Sequence, residues 1–284
     1  MPKTFPQLDA SVLHTLPEPP PVVRTRNPIL TAVVPTLNEA RNVAPVLQGL
    51  PECVAEIVVV DGRSDDGTPN TCLAADPRVR IIMERRRGKG AAMLAGFAAA
   101  RGDAIVCLDA DGSMDPSEVT VFHALLAQGY DLVKGSREAV GGGSTDFSPL
   151  RRAGNASLTR LANVMHRISW SDMCYGYFAF WRDVLPDLGM ERASLTTRAL
   201  ASELGSEGSA RGEGGGLSYG DGFEIETALF LRAARARLSI AESPSRELPR
   251  TTGESNLRTF RDGLRVLSAI GRERMRSSAP VLPL

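Results

Sequence analysis

From Ile29 to Val133 the chain alternates short β-branched apolar runs with helix-like stretches, and this alternation restricts the fold more than any other feature. Ile29 to Val34 reads as a strand ended by Pro35. Glu56 to Val60, Val79 to Met83, Ala104 to Leu108 and Leu132-Val133 read as further strands. Between them, Asn42 to Leu50, Asp65 to Ala75, Gly88 to Ala100 and Pro116 to Ala127 carry helical patterns. Strands that are apolar on both faces must be covered on both faces. The expectation is therefore α/β: an open, mostly parallel, Rossmann-like sheet with helices on each side.

The second half is less regular. Leu150 to Ile168, Phe223 to Arg235 and Asn256 to Met275 read as helices, and Tyr177 to Trp181 and Leu238 to Glu242 as strands. Residues 1–28 read as a disordered, Pro-rich tail, 29–252 as one α/β domain, and 253–284 as an amphipathic helix and tail. Within the domain, residues 193–220 are loaded with Ser, Gly, Glu and Arg and read as a mobile loop that closes as a lid.

Bulk properties exclude several classes. Lys plus Arg and Asp plus Glu each number 33, so there is no basic excess of the kind a nucleic-acid binder carries. Cys53, Cys72, Cys107 and Cys174 show no zinc-ligand spacing and read as reduced thiols. No run reaches the ~18 apolar residues of a membrane span, and the N-terminus lacks the apolar core of a signal peptide. The expected location is cytoplasmic, with peripheral contact at the inner membrane face left open; oligomeric state is not legible.

In open α/β sheets, ligands bind beyond the carboxyl ends of the strands. Those ends here are polar and acidic: Pro35 to Glu39, Asp61 to Thr68, Asp109-Ala110-Asp111-Gly112, and Lys134 to Arg137. A D-x-D pair after an apolar strand can hold Mg²⁺ or Mn²⁺, which take one or two carboxylates together with substrate phosphate oxygens. Capping of the following helix does not need it, because Asp115 before Pro116 suffices. Neither a G-x-G-x-x-G fingerprint nor a P-loop is present. Blander readings exist residue by residue: Pro35 can end a strand, Asn38 can cap a helix, and Asp61-Gly62 can form a turn. They leave the convergence of carboxylates at one sheet edge unexplained.

The ordered set Val34-Pro35-Thr36-Leu37-Asn38-Glu39, Val58-Val59-Val60-Asp61, Ser64-x-Asp66-Gly67-Thr68, Gly88-Lys89-Gly90 and Leu108-Asp109-Ala110-Asp111-Gly112 resembles the family-2 inverting glycosyltransferases of GT-A fold. The nearest branch is that of the polyprenyl-phosphate (dolichol-phosphate) mannosyl- and glucosyltransferases. Gly135-Ser136-Arg137, Tyr175-Gly176-Tyr177-Phe178, Gly222 to Glu226 and Gly253 to Leu257 extend the resemblance to about residues 30–260. It implies that Pro35, Asn38 and Glu39 line the nucleoside pocket and that Asp61 bonds the base. It further implies that Lys89 approaches the base or diphosphate, that Asp109 and Asp111 hold nucleotide and metal, and that Lys134 and Arg137 face phosphate. One departure stands out: where the family pattern reads V-V-D-D-G-S, the second Asp is Gly62 here and Arg63 follows.

Two acceptors remain open. A polyprenyl phosphate is already ionised and needs cations, with Lys134, Arg137, Arg151, Arg152 and Arg258 as candidates. The terminal helix agrees, with Leu257, Phe260, Leu264, Leu267 and Ile270 on one face and arginines mostly off it. Such a helix lies on an anionic membrane or packs on its own core. A soluble hydroxyl acceptor instead needs a general base, for which Glu224 or Glu226 at a helix start is the candidate. A non-catalytic nucleotide-binding protein is the third reading. One arginine of Arg85 to Arg87 is a further candidate for phosphate contact, and His14, His123 and His166 read as structural.

Overall fold

The computed structural model describes residues 8–9, 24–145, 147–190, 220–253 and 259–276. Strands β1 (Leu8–Asp9), β2 (Leu30–Thr36), β3 (Val54–Asp61), β4 (Val79–Met83), β5 (Ala104–Cys107), β6 (Leu132–Ser136), β8 (Phe178–Trp181) and β9 (Ile240–Pro244) form one sheet. A separate pair joins β7 (Gly143–Ser144) to β10 (Arg246–Glu247). The helices are α1 (Val43–Gln48), α2 (Thr68–Ala75), α3 (Lys89–Ala99), α4 (Val119–Ala127), α5 (Pro149–His166), α6 (Glu224–Arg235) and α7 (Thr259–Met275). The sheet order is β1-β4-β3-β2-β5-β8-β6-β9, with every pairing parallel except those of β8, which runs antiparallel to β5 and β6. The α/β expectation holds, and the single reversed strand brings its N-terminal end, at Tyr175 to Tyr177, to the edge where the other strands end.

Central strands are buried on both faces, as continuous apolar runs require: Ala32 to Val34, Ile57 to Val60 and Ala104 to Val106 have no exposed surface. Helix α3 is buried along nearly its whole length, because it covers the sheet on one side and meets the Gly220–Gly222 turn on the other. Its small residues permit this. A Cβ at Gly96 would stand 2.3 Å from Val33 Cγ1, and one at Gly90 would stand 2.1 Å from the carbonyl oxygen of Gly220. This close packing fixes Lys89, the first residue of the helix, against the strand ends.

Several boundaries differ from expectation. Strand β2 continues through Pro35 to Thr36, because the ladder to β5 stops at Val33 opposite Cys107 and Pro35 keeps a strand neighbour only on the β3 side. Strand β9 begins two residues later than expected. Arg237, at φ 59°, ends α6 in a left-handed turn, and the Leu238 N–H still bonds back to Ala233. In the stretch expected to be a disordered tail, Leu8–Asp9 pairs with β4; the rest of that stretch up to residue 23 lies outside the described residues, as does nearly all of the 193–220 lid. Asp115 caps the next helical turn by accepting from the Ser117 N–H at 2.9 Å. The four cysteines are free. Among the described residues no helix is long and apolar enough to cross a membrane.

Candidate active site

The strand ends open into one cleft of about 1230 Å³. At the β2 and β3 ends, two loops are stitched together by side chain to backbone bonds. Asn38 Oδ1 accepts from the Asp65 N–H (3.0 Å), the Asn38 N–H donates to Ser64 Oγ (2.8 Å), and the Ala40 N–H donates to Asp66 Oδ2 (3.0 Å). Pro35 and Glu39 line the cleft. Asn38, at φ 58°, turns to this loop junction instead and is not among the lining residues. Asp61 is fully buried, and its oxygens accept from the Ser64 N–H (2.7 Å), Ser64 Oγ (2.7 Å) and Thr36 Oγ1 (3.0 Å). The structure thus places neither side chain among the residues that line the cleft. Asn38 and Asp61 brace the loop at the cleft edge through their own hydrogen bonds instead.

The floor is an alternation of acids and cations. Lys89 Nζ lies 2.6 Å from Asp109 Oδ1 and 2.7 Å from Glu226 Oε1, the latter off the line of a hydrogen bond. Gly176 makes room for this bridge: a Cβ there would stand 2.3 Å from Glu226 Oε1 and 2.8 Å from Lys89 Nζ. Arg250 forms a second bridge, from Glu39 to Asp111 Oδ2, 3.4 Å from the latter. Its segment is tied down by the Thr251 N–H to the Asp111 carbonyl (3.2 Å) and by Thr252 Oγ1 to Asn42 Oδ1 (2.6 Å).

Burial pushes the Asp109 carboxyl up to about 6; Lys89 opposes the shift, while Asp111 and Glu226 add to it. Burial also disfavours charge on Lys89, but the two carboxylates outweigh it and hold the ammonium above its ordinary pKa. Four carboxylates (Glu39, Asp109, Asp111, Glu226) facing two cations (Lys89, Arg250) leave two formal negative charges, which one divalent ion would balance. Among the described residues no cluster of three or more side chains forms a metal cage. A pair of hard oxygen donors at a cleft floor suits Mg²⁺ or Mn²⁺ completed by phosphate oxygens and water, so the residues fit such an ion.

The remaining candidates separate clearly. Glu224 and Glu226, two apart on α6, project roughly 200° apart around the helix. Glu226 lines the cleft. Glu224 is buried against α7, where Arg265 donates at 2.7 and 2.6 Å and the Gly220 N–H at 2.9 Å. Burial raises its pKa, but Arg265 wins and keeps it ionised; as a base candidate it is corrected to a structural anchor. Lys134 is likewise corrected: it has no exposed surface, and its ammonium is held by the Asp172 carbonyl and by Glu242 (2.7 Å). Arg137 lines the cleft, but its donors are taken by Asp172 (2.7 and 3.0 Å), Glu247 (3.1 Å) and the Cys174 carbonyl (3.0 Å). Its face is 4.0 Å from the Phe147 ring centroid and 4.6 Å from that of Tyr175. In this state it is a neutralised, stacked wall rather than an open phosphate ligand.

Of the arginine run, Arg86 and Arg87 line the cleft, and Arg86 pairs with Glu84 at 2.8 Å. Arg151 lines the cleft, whereas Arg152 points to Glu138; Arg258 lies outside the described residues. His123 and His166 contact the carbonyls of Pro28 and Ile270. Arg250, Glu247 and Asp172 escaped sequence reasoning. Arg250 stands three residues before the Gly253 motif, the one signal that could have drawn attention to it; Asp172 has no signal, being a lone acid 35 residues from its partner.

Comparison with known proteins completes the assignment. The model for glycosyl transferase family 2 matches residues 31–189. The glycosyltransferase AglJ of Haloferax volcanii is 29% identical over 239 residues, covering 81% of this chain and 67% of the relative. The polyprenol monophosphomannose synthase of Mycolicibacterium smegmatis is 34% identical over 187 residues, covering 61% and 69%. The crystal structure of glucosyl-3-phosphoglycerate synthase from Mycobacterium tuberculosis with Mg²⁺ and uridine diphosphate superposes with a TM-score of 0.61 at 18% identity, over 89% of this chain and 81% of that one. The sheet is thus the GT-A fold, and this chain belongs to glycosyl transferase family 2 and is a glycosyltransferase.

Proposed function

We propose that this enzyme transfers a sugar, with inversion, from a nucleotide-diphosphate donor to a polyprenyl phosphate in a metal-dependent reaction. One observation carries the acceptor: the cleft ends in an apolar mouth between α5 and α7. Phe147, Leu150 and Leu158 line it from one side, Leu264, Val266 and Leu267 from the other. Leu150 is 62% and Leu264 66% exposed, an open oily rim continuous with the charged floor. A soluble metabolite has no use for such a rim; a prenyl chain does. The expected single apolar face of α7 is divided. Ile270 packs inward with Val266 and Ala269, while Leu264 and Leu267 stay outside.

Asp109 and Asp111 would hold the Mg²⁺ or Mn²⁺ together with the donor diphosphate. The ion would supply charge neutralisation on the leaving group. Lys89 keeps a fixed positive charge beside that diphosphate. Glu226 orients Lys89, and Gly176 leaves space for both. Arg250, which pairs with both Glu39 and Asp111, would yield Asp111 to such an ion and keep a guanidinium anchored by Glu39 at the cleft floor, within reach of phosphate. A phosphate acceptor arrives ionised, so no proton need be removed. Relatives named for polyprenyl-phosphate and dolichyl-phosphate transfer support this reading.

A second reading has its own support. Glu226 stands at the floor beside Asp109, where a general base for a hydroxyl acceptor would stand, and the matched glucosyl-3-phosphoglycerate synthase is named for a small product. Chain-length dependence separates the two. On the lipid reading, KM falls as the acceptor grows from a short prenyl phosphate to a long one, and Leu264→Ser with Leu267→Ser flattens that trend without lowering kcat on the short acceptor. A flat KM in the wild type, with faster transfer to a soluble hydroxyl, would overturn it.

A further inference from the structure

Arg63 is unaccounted for by the chemistry above. It has φ 69°, a left-handed conformation that non-glycine residues rarely adopt. The glycine beside it is not needed for geometry: a Cβ on Gly62 would meet only ordinary contacts, the Thr36 carbonyl oxygen at 3.5 Å and Leu37 Cδ1 at 3.6 Å. Glycine therefore sits where a side chain would fit, and arginine sits where glycine would fit. Strained residues persist only when their surroundings over-determine them. Here the surroundings do. Asp61 holds Ser64 by two bonds of 2.7 Å, the Gly62 N–H is held by Thr36, and Ser64 Oγ is held by the Asn38 N–H.

The turn so fixed shows Arg63 to the cleft, which it lines beside Leu37, itself 47% exposed. Among the described residues the Arg63 guanidinium has no acidic partner, unlike Arg86, Arg137 and Arg250. Its place is also informative. β3 lies two strands from β5, so the Arg63 turn stands roughly 10 Å across the sheet edge from Asp109. That is the reach from a metal-held diphosphate, across one ribose, to a base.

We infer that Arg63 reads the base of the nucleotide donor and selects guanine, with Leu37 as the apolar platform under the ring. Guanine presents two adjacent acceptors, O6 and N7, which match the two-pronged guanidinium. Adenine sets an amino donor next to N7, and uracil has a C–H next to O4, so neither accepts both prongs. The inference rests on the donor-site reading of the cleft and adds a specificity residue to it.

The test is calorimetric titration of the full chain with GDP and with UDP, each with Mn²⁺, in the wild type, Arg63→Gly and Arg63→Lys. Wild type is expected to bind GDP about tenfold or more tighter than UDP. Arg63→Gly should bring GDP to within about threefold of UDP, leave UDP unchanged, and fold at least as stably, since glycine suits the left-handed turn. Arg63→Lys should lose most of the preference while keeping the charge. Equal GDP and UDP affinity in the wild type, a preference that survives Arg63→Gly, or an equal loss of both nucleotides would overturn the inference and leave the donor site standing. Binding of neither nucleotide by the wild type would overturn the donor site and this inference together.

Discussion

Replacing Lys89 with methionine removes the ammonium that Asp109 and Glu226 share and keeps most of the side chain's apolar stem. Removing one partner of a buried ion pair costs about 3–5 kcal/mol, because a charge is left uncompensated. Glu226 is almost fully enclosed, with 7% side-chain exposure, but Asp109 keeps 29% and can recover some hydration from the cleft. The lower end, about 3 kcal/mol, is therefore expected at neutral pH, or about 6–12 °C in Tm for a chain of this size. The sign of its pH dependence follows from linkage. Burial already raises the folded-state pKa of Asp109 and Lys89 opposes that shift, so without Lys89 the folded state takes up a proton first at Asp109 and regains stability as pH falls through that value. The Tm deficit of Lys89→Met relative to wild type, read by circular dichroism, should be largest at pH 7.5 and shrink by at least half at pH 5. An equal deficit at both pH values would mean that lost packing, not stranded charge, destabilises the variant, and the floor would not be the electrostatic bridge described.

The two glutamates of α6 should part company. Glu224→Gln loses its paired contact with Arg265 and should lower the urea midpoint, with turnover per folded molecule within about threefold of wild type. Glu226→Gln should leave stability nearer wild type but slow transfer about tenfold by loosening Lys89; a loss of roughly 10²–10⁴-fold would instead identify Glu226 as a general base. Because Asp109 titrates near 6 and must be ionised to bind a cation, affinity for Mn²⁺ with nucleotide should be flat above pH 6 and fall about tenfold per unit below it. Titration calorimetry from pH 5 to 8 would read this, and a flat profile would remove Asp109 from the metal site.

Much of the sheet was legible because each central strand is an apolar run stopped by an acid or a turn, and an α/β sheet leaves few places for such runs. The floor residues Lys89, Asp109, Asp111 and Glu39 were legible for the same reason: they directly follow strand ends or open a helix. Where sequence reasoning failed, the deciding contact was remote. Lys134 lies in a strand covered on both faces, and its partners Asp172 and Glu242 are 38 and 108 residues away. Helical spacing required Glu224 and Glu226 to diverge, but which one faced the cleft depended on where α7 placed Arg265. Arg250 reaches Glu39 across 211 positions. Asp61 follows a strand as a ligand-facing acid would, yet Thr36 and Ser64 absorb its oxygens, and the residue displayed is Arg63.

Transfer of labelled sugar between phases tests the central claim most directly. The wild-type enzyme would be incubated with Mn²⁺, radiolabelled GDP- or UDP-hexose and a long polyprenyl phosphate, then extracted with organic solvent. The account predicts label in the organic phase, reduced about 10²-fold or more by Asp109→Ala with the fold intact, equivalent to about 2.7 kcal/mol or more. Label that stays aqueous while a soluble hydroxyl acceptor is glycosylated would contradict it.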